Sequence, residues 1–142
     1  MGILERIEGN SVYLDANIFI YAVESYPQYQ VEVAELFSVI DGKELSAFTS
    51  ELTLAEVLVN PISIGDSTLI DTYKAMVSSS NSLTVLPVTR QVLVRAAKVR
   101  SDLGLRLPDA IHFASALEKG CVSLLTNDRE MKTDEHIHLV LI

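Results

Sequence analysis

At 142 residues and 15.6 kDa, with 49% hydrophobic and 21% charged side chains, the chain has the composition of one folded domain and not of a disordered segment. A net charge of −8 is the reverse of what a polyanion binder ordinarily carries. No uninterrupted apolar run approaches the ~20 residues of a membrane span, and "MGILERIEGN" lacks the basic and apolar regions of a signal peptide, so a cytoplasmic protein is expected. The mean hydropathy of +0.29 is high for such a chain and predicts a buried subunit interface in addition to the core.

Residues 1–10 read as an N-terminal extension without an assigned role. "NSVYLD" then reads as a short buried strand and "NIFIYAVE" as a brief helix. In "QYQVEVAELFSVI" the residues Val33, Leu36, Phe37 and Ile40 fall at helical spacing. "ELSAFTS" is a second strand, and "SELTLAEVLVN" a helix opened by Ser50 as N-cap and closed before Pro61. After a turn at "PISIGDS", Leu69, Ile70, Tyr73, Met76 and Val77 mark an amphipathic helix, and "SLTVLPV" a third strand. "TRQVLVRAAKVRSDLG" turns Val92, Ala96, Val99 and Leu103 inward and ends at Gly104. "PDAIHFASALEKG" starts with proline at the favoured first helical position and ends on a glycine C-cap. "CVSLLT" and "IHLVLI" complete the strands. Cys121, the only cysteine, reads as a buried strand thiol in a reducing compartment.

Apolar strands alternating with helices predict an α/β fold with a mostly parallel central sheet covered on both faces. There is no internal repeat, low-complexity tract or linker, so residues 1–142 are expected to form one domain. The charge is uneven: residues 90–106 carry Arg90, Arg95, Lys98, Arg100 and Arg106 against Asp102, a net of +4 that leaves −12 elsewhere. That segment is either a solvated helix face or a basic rim beside an acidic pocket.

Four acids stand in apolar surroundings. Asp15 ends the first strand, and Asp128 follows "CVSLLT" through Thr126 and Asn127. Both are therefore placed where open α/β sheets bind ligands, at the carboxyl ends of strands. Glu56 is the only charge in "LTLAEVLVN", on a face shared with Thr53 and Asn60. Asp109 is the only charge at the start of "PDAIHFASAL". Taken singly, Asp15 could be an Asx-turn or cap residue, Asp109 a complement to the helix dipole and Asp128 a local cap. Glu56 has no such local reason. One shared site accounts for all four.

Converging carboxylates repel one another, which raises their pKa values or demands a cation. No matching set of histidines or cysteines exists, so zinc and softer metals are not expected. All-oxygen ligation suits Mg²⁺ or Mn²⁺, the ions of phosphoryl and phosphodiester hydrolysis. A bound cation would also let an acidic protein receive a polyanion.

"YLDANIFIYAVE", "TSELTLAEVL", "LRLPDAIHFASALEKGC" and "LLTNDREM" resemble, in order and spacing, the PIN-domain ribonucleases, particularly the VapC-type toxins of toxin–antitoxin pairs. The resemblance runs from Val12 through nearly the rest of the chain. It implies a Rossmann-like parallel sheet, Mg²⁺- or Mn²⁺-dependent endonucleolytic cleavage of RNA, a homodimer, and inhibition by a protein antitoxin. Carried over by position, Asp15, Glu56, Asp109 and Asp128 match the family's catalytic acidic quartet. Asp15, Asp109 and Asp128 would hold metal, and Glu56 would position the attacking water or join the ligands. Asn17 and Thr126 match its supporting polar residues. Arg106 and Arg129 are candidate substrate contacts, Arg129 reading equally as a surface arginine paired with Glu130 or Asp134. The chain departs from the family in the length of residues 1–10. It also has Glu130 and Met131 where the family often has Asp and an aromatic, which puts a metal role for Glu130 in doubt. His112, one turn beyond Asp109, reads first as a helix-packed or surface histidine and second as a contact to substrate or a ligand carboxylate.

Two rivals use the same residues differently. A Mg²⁺ phosphatase of haloacid-dehalogenase-like type would use Asp15 as covalent nucleophile, but it wants a second acid two residues on, where "DAN" supplies Asn17. A non-catalytic RNA- or protein-binding module is the other, and an intact quartet counts against it.

Overall fold

Val12, Tyr13 and Leu14 of strand β1 (Ser11–Leu14) are all fully buried, so this strand is covered on both faces and belongs at the middle of a sheet. The computed structural model, which describes residues 2–142, places it there. With β2 (Ser46–Ser50), β3 (Leu83–Leu86), β4 (Ser123–Thr126) and β5 (His138–Leu141) it forms one sheet in the order β3-β2-β1-β4-β5, every pair parallel. Tyr13 lies level with Phe48 on one side and Leu124 on the other.

Seven helices complete the described chain: α1 (Ile3–Arg6), α2 (Ala16–Val23), α3 (Gln30–Asp41), α4 (Glu51–Ile64), α5 (Ser67–Met76), α6 (Arg90–Leu103) and α7 (Leu107–Lys119). The period-2 alternation of the strands divides the core. Val12, Leu14 and Leu125 point to the layer of α2 and α3, with Ile18, Phe19, Leu36 and Ile40. Tyr13 and Leu124 point to the layer of α6 and α7, with Val92, Ala96, Phe113 and Ala114. No helix among the described residues is long and apolar enough to cross a membrane.

From β1 the chain winds outward to β2 and β3, then returns past β1 to lay down β4 and β5. The strand order therefore reverses between β1 and β4, and the crevice outside their carboxyl ends is the switch point where such sheets bind ligands.

Several expectations need correction. Helix α4 does not stop before Pro61 but runs through it to Ile64. Proline removes one backbone donor, yet Pro61 sits in the last turn and is buried, so packing there outweighs one lost hydrogen bond. The helix ends instead at Gly65, in the left-handed conformation at φ +70°. Helix α7 begins one residue earlier than expected, at Leu107, so Pro108 is its second residue and Asp109 its third. Cys121 is buried as expected, but in the turn before β4 and not within a strand. Burial pushes its thiol pKa up to about 12, which keeps it unreactive.

The N-terminal extension is tied to the domain. Ile3 is buried, and its amide donates to Glu32 Oε2 at 2.9 Å. The guanidinium of Arg6 donates to the Leu141 carbonyl at 2.5 Å, and Glu8 exchanges two hydrogen bonds with Ser123 Oγ at 2.9 and 2.8 Å. Gly9, at φ +71°, then lets the backbone pass so close to Val122 that an added Cβ would lie 2.8 Å from that side chain. Gly9→Ala combines a left-handed backbone worth about 1–2 kcal/mol with overpacking of similar size. It is expected to lower the melting temperature by several degrees. An unchanged melting temperature would show that residues 3–9 do not pack against β4 as described.

Candidate functional site

The carboxyl ends of β1 and β4 are joined by one hydroxyl. Asp15 leaves β1 as the N-cap of α2, its Oδ1 accepting from the Ala16 amide at 2.8 Å. Its Oδ2 accepts from Thr126 Oγ1 at 2.6 Å. The same threonine oxygen accepts from the Asp128 amide at 3.0 Å and from Asn17 Nδ2 at 3.4 Å. One donor and two acceptor positions are all a hydroxyl offers, so Thr126 is saturated. Asn17 Oδ1 in turn takes the Asn127 amide at 3.2 Å, and Asn127 Nδ2 donates to the Tyr21 hydroxyl at 2.5 Å. Asp15 is thus both a cap and a member of the acidic group, two roles the sequence offered as alternatives.

Glu56 enters from α4, half-buried, facing the fully buried His112 of α7. His112 Nε2 lies 2.5 Å from Glu56 Oε1 and 3.5 Å from Asp15 Oδ1, while Nδ1 lies 2.6 Å from the Tyr13 hydroxyl. Asp15, Glu56 and His112 each bring one ligand atom within 4.8 Å of the other two. Burial favours the neutral imidazole, but the Glu56 hydrogen bond and the charge of Asp15 outweigh it and raise the His112 pKa. Burial raises the Tyr13 pKa well above its ordinary value, with Asp15 adding to it, so the phenol stays protonated.

The other two acids meet through a cation. Arg106 Nε lies 3.3 Å from Asp109 Oδ2 and Arg106 Nη2 lies 3.2 Å from Asp128 Oδ2. The guanidinium is two-thirds exposed, whereas Asp109 is buried. Burial and then the Asp128 charge raise the Asp109 pKa, against the lowering effect of Arg106. Asp128 Oδ1 accepts from the Glu130 amide at 2.9 Å in an Asx turn.

Asp15 and Glu56 therefore meet at His112, Asp109 and Asp128 meet at Arg106, and Thr126 joins the two groups by bonding both Asp15 and the Asp128 amide. Arg129 is exposed and joins none of the ion pairs among the described residues, and Glu130 contributes its backbone amide alone. The polar stripe expected around Glu56 does not extend along α4. Thr53 is buried and bonded to Thr49 at 2.7 Å, anchoring the helix to β2, and Asn60 is exposed. The basic segment is largely a solvated face, with Arg95 paired to Glu118 at 2.8 Å and Lys98 to Asp102 at 3.2 Å. Only Arg106 reaches the acids. His112 is neither merely helix-packed nor on the surface, since carboxylates occupy its Nε2 side. Tyr13 was not anticipated. Its signal was its position two residues before Asp15, which puts both on one side of β1.

The group with ligand atoms close enough to share a cation is Asp15, Glu56 and His112, two carboxylates and an imidazole and not the all-oxygen set expected, while Asp109 and Asp128 share one arginine that balances only half their charge. Carboxylate oxygens are the donors a divalent cation takes, and the raised pKa of Asp109 marks the negative charge left there. A PIN domain family model matches residues 12–134. No curated protein sequence matches the chain significantly. Similar solved structures include VapBC2 of Rickettsia felis bound to promoter DNA, with a TM-score of 0.70 at 16% identity over 92% of this chain and 98% of that one. VapC20 of Mycobacterium tuberculosis, a sarcin-ricin loop cleaving toxin, gives 0.64 at 19% identity over 80% and 86%. DNA-bound VapBC of Salmonella typhimurium gives 0.65 at 20% identity over 93% and 98%. At these identities the likeness is one of fold. A family match of this extent does not favour the phosphatase alternative. The chain belongs to the PIN domain family.

Proposed function

We propose that this protein is a divalent-metal-dependent endoribonuclease and the toxin of a toxin–antitoxin pair. It would act in the cytoplasm as a homodimer held in check by a protein antitoxin. The observation that supports the reading is a pair of acidic groups, Asp15 with Glu56 and Asp109 with Asp128, joined through Thr126 beside the switch point of an all-parallel sheet. The toxin–antitoxin complexes among the similar structures, and the RNA-cleaving VapC20 in particular, support it. Residues 1–142 would work as one such domain, with α1 strapped to its edge.

In this reading Asp15, Asp109 and Asp128 hold Mg²⁺ or Mn²⁺. The ion, when bound, supplies a water of lowered pKa and positive charge for the phosphodiester oxygens. Asp15 is fixed for ligation by the Ala16 amide and Thr126, and Asp128 by Thr126 and the Glu130 amide. Asn17 holds the Asn127 backbone that connects them. Glu56, the half-buried acid, orients the attacking water and accepts its proton. Arg106, exposed beside Asp109 and Asp128, would be the phosphate contact nearest the acids, and Arg129 would offer a second, outer one.

Losing even an outer partner of a metal ligand typically costs about 10–100-fold. Asp15→Asn, Asp109→Asn and Asp128→Asn should therefore each lower Mn²⁺-dependent RNA cleavage at least about 100-fold while circular dichroism stays native. Full cleavage by any of the three would remove that residue from the site.

Asp109 also makes a thermodynamic prediction. Its folded pKa lies above the ordinary value of 3.8, so the folded state binds that proton more tightly than the unfolded one. Stability is then fully present below the ordinary pKa and declines as pH rises through the raised one. Asp109→Asn removes this decline. In EDTA at pH 7 it should melt above wild type by an amount on the order of a few degrees, and the gain should fade as both are acidified. A lower melting temperature for the variant at pH 7 would contradict it.

A further inference from the structure

Glu56 is held differently from the other acids. Asp15 and Asp128 each accept a backbone amide, and Asp109 pairs with Arg106, the N-cap of its own helix. The hydrogen bond given to the Glu56 carboxylate comes from His112, on α7, 56 residues away in sequence. Because a carboxylate only accepts, the hydrogen between them sits on Nε2 whatever the charge of the ring. The ring itself is fixed. His112 is fully buried, its Nδ1 faces the Tyr13 hydroxyl at 2.6 Å, and the two rings meet edge to face at 5.6 Å. The link runs from the middle strand of the sheet, through a buried helix, to an acid at the solvent boundary.

On α7 the neighbours that share its face, at i−3, i+3 and i+4, are Asp109, Ser115 and Ala116, all buried, so the imidazole stands on the acid-bearing face of the helix. What the imidazole adds is a directed N–H between two carboxylates that would otherwise push apart. We infer that His112 is a positioning residue, whose Nε2–H, aimed by Tyr13, holds the Glu56 carboxylate beside Asp15 where the attacking water is taken up. The inference rests on the nuclease reading above and deepens it: Glu56 works only while it is clamped.

Without the clamp the Glu56 side chain turns to solvent, and misplacement of a reacting group by about 1 Å can cost on the order of 100-fold. His112→Leu should lower kcat for an RNA substrate with Mn²⁺ by about that factor, with KM near the wild-type value. His112→Gln, whose Nε2 amide reaches the same place with a donor, should recover most of the loss. A second readout needs neither metal nor RNA. In ¹H–¹⁵N spectra of the metal-free protein, His112 should give a slowly exchanging, strongly downfield ring N–H. It should be absent in His112→Gln, move upfield in Glu56→Gln, and shift in Tyr13→Phe.

The absence of that resonance from folded wild type, or its indifference to Glu56→Gln, would overturn the clamp. With the resonance present, full cleavage by His112→Leu, or a folded His112→Gln no better than His112→Leu, would overturn the positioning role and leave the nuclease reading standing. A wild type that cuts no RNA with Mn²⁺ or Mg²⁺ would overturn the nuclease reading and this role together.

Discussion

Mutual repulsion among carboxylates gathered at one end of the sheet is the constraint around which this structure is arranged. Ligand oxygens of Asp15 and Glu56 lie within 4.8 Å of each other. Two unit charges at that spacing repel by about 3–4 kcal/mol at an effective dielectric of 20. The fold meets this with donors placed one by one: the Ala16 amide and Thr126 for Asp15, His112 for Glu56, and the Arg106 fork for Asp109 and Asp128. No buried side-chain nitrogen or oxygen is left without a partner among the described residues. Each acid is therefore held in place by donors of the protein itself.

Those donors come from different layers, which ties the site to the core. Thr126 ends β4, Tyr13 lies in β1, and His112 sits on α7 among fully buried neighbours. Moving any of them means disturbing one of the two hydrophobic layers, and close-packed interiors do not deform gradually. Arg106 is the exception, an exposed side chain at the mouth of the site. An acidic floor tied to the core, with one exposed cation at its mouth, is what makes a net charge of −8 compatible with the proposed cutting of RNA. The other basic residues of α6 do not create that compatibility, because exposed pairs such as Lys98–Asp102 are worth only about 0–1 kcal/mol and mostly cancel in charge.

The sheet was legible because its strands are short apolar runs, bounded by Gly, Asn and Ser, that alternate with helical spacing. The positions of Asp15 and Asp128 were legible for the same reason: a polar residue that follows such a run lies just beyond the carboxyl end of its strand. Other features were not legible from local pattern. Four residues cannot signal a helix such as α1, which is held by burial of Ile3 and by bonds from Ile3 to Glu32 and from Arg6 to Leu141. Pro61 argued for a helix end, but burial of the ring prevailed over propensity. Spacing put His112 on the face of Asp109, yet it could not say that Glu56, 56 residues earlier, lay opposite. Thr53 and Asn60 misled for the converse reason: sharing a helical face with Glu56 did not bring them to the same neighbours.

The central claim is that these acids form one cation site. The most direct measurement is titration calorimetry of Mn²⁺ into wild type and Asp109→Asn at pH 7 without RNA. The account predicts saturable binding to wild type and at least about tenfold weaker binding to the variant, the loss expected when a ligand is removed. Equal binding by the two proteins, or none to wild type at millimolar Mn²⁺, would contradict it.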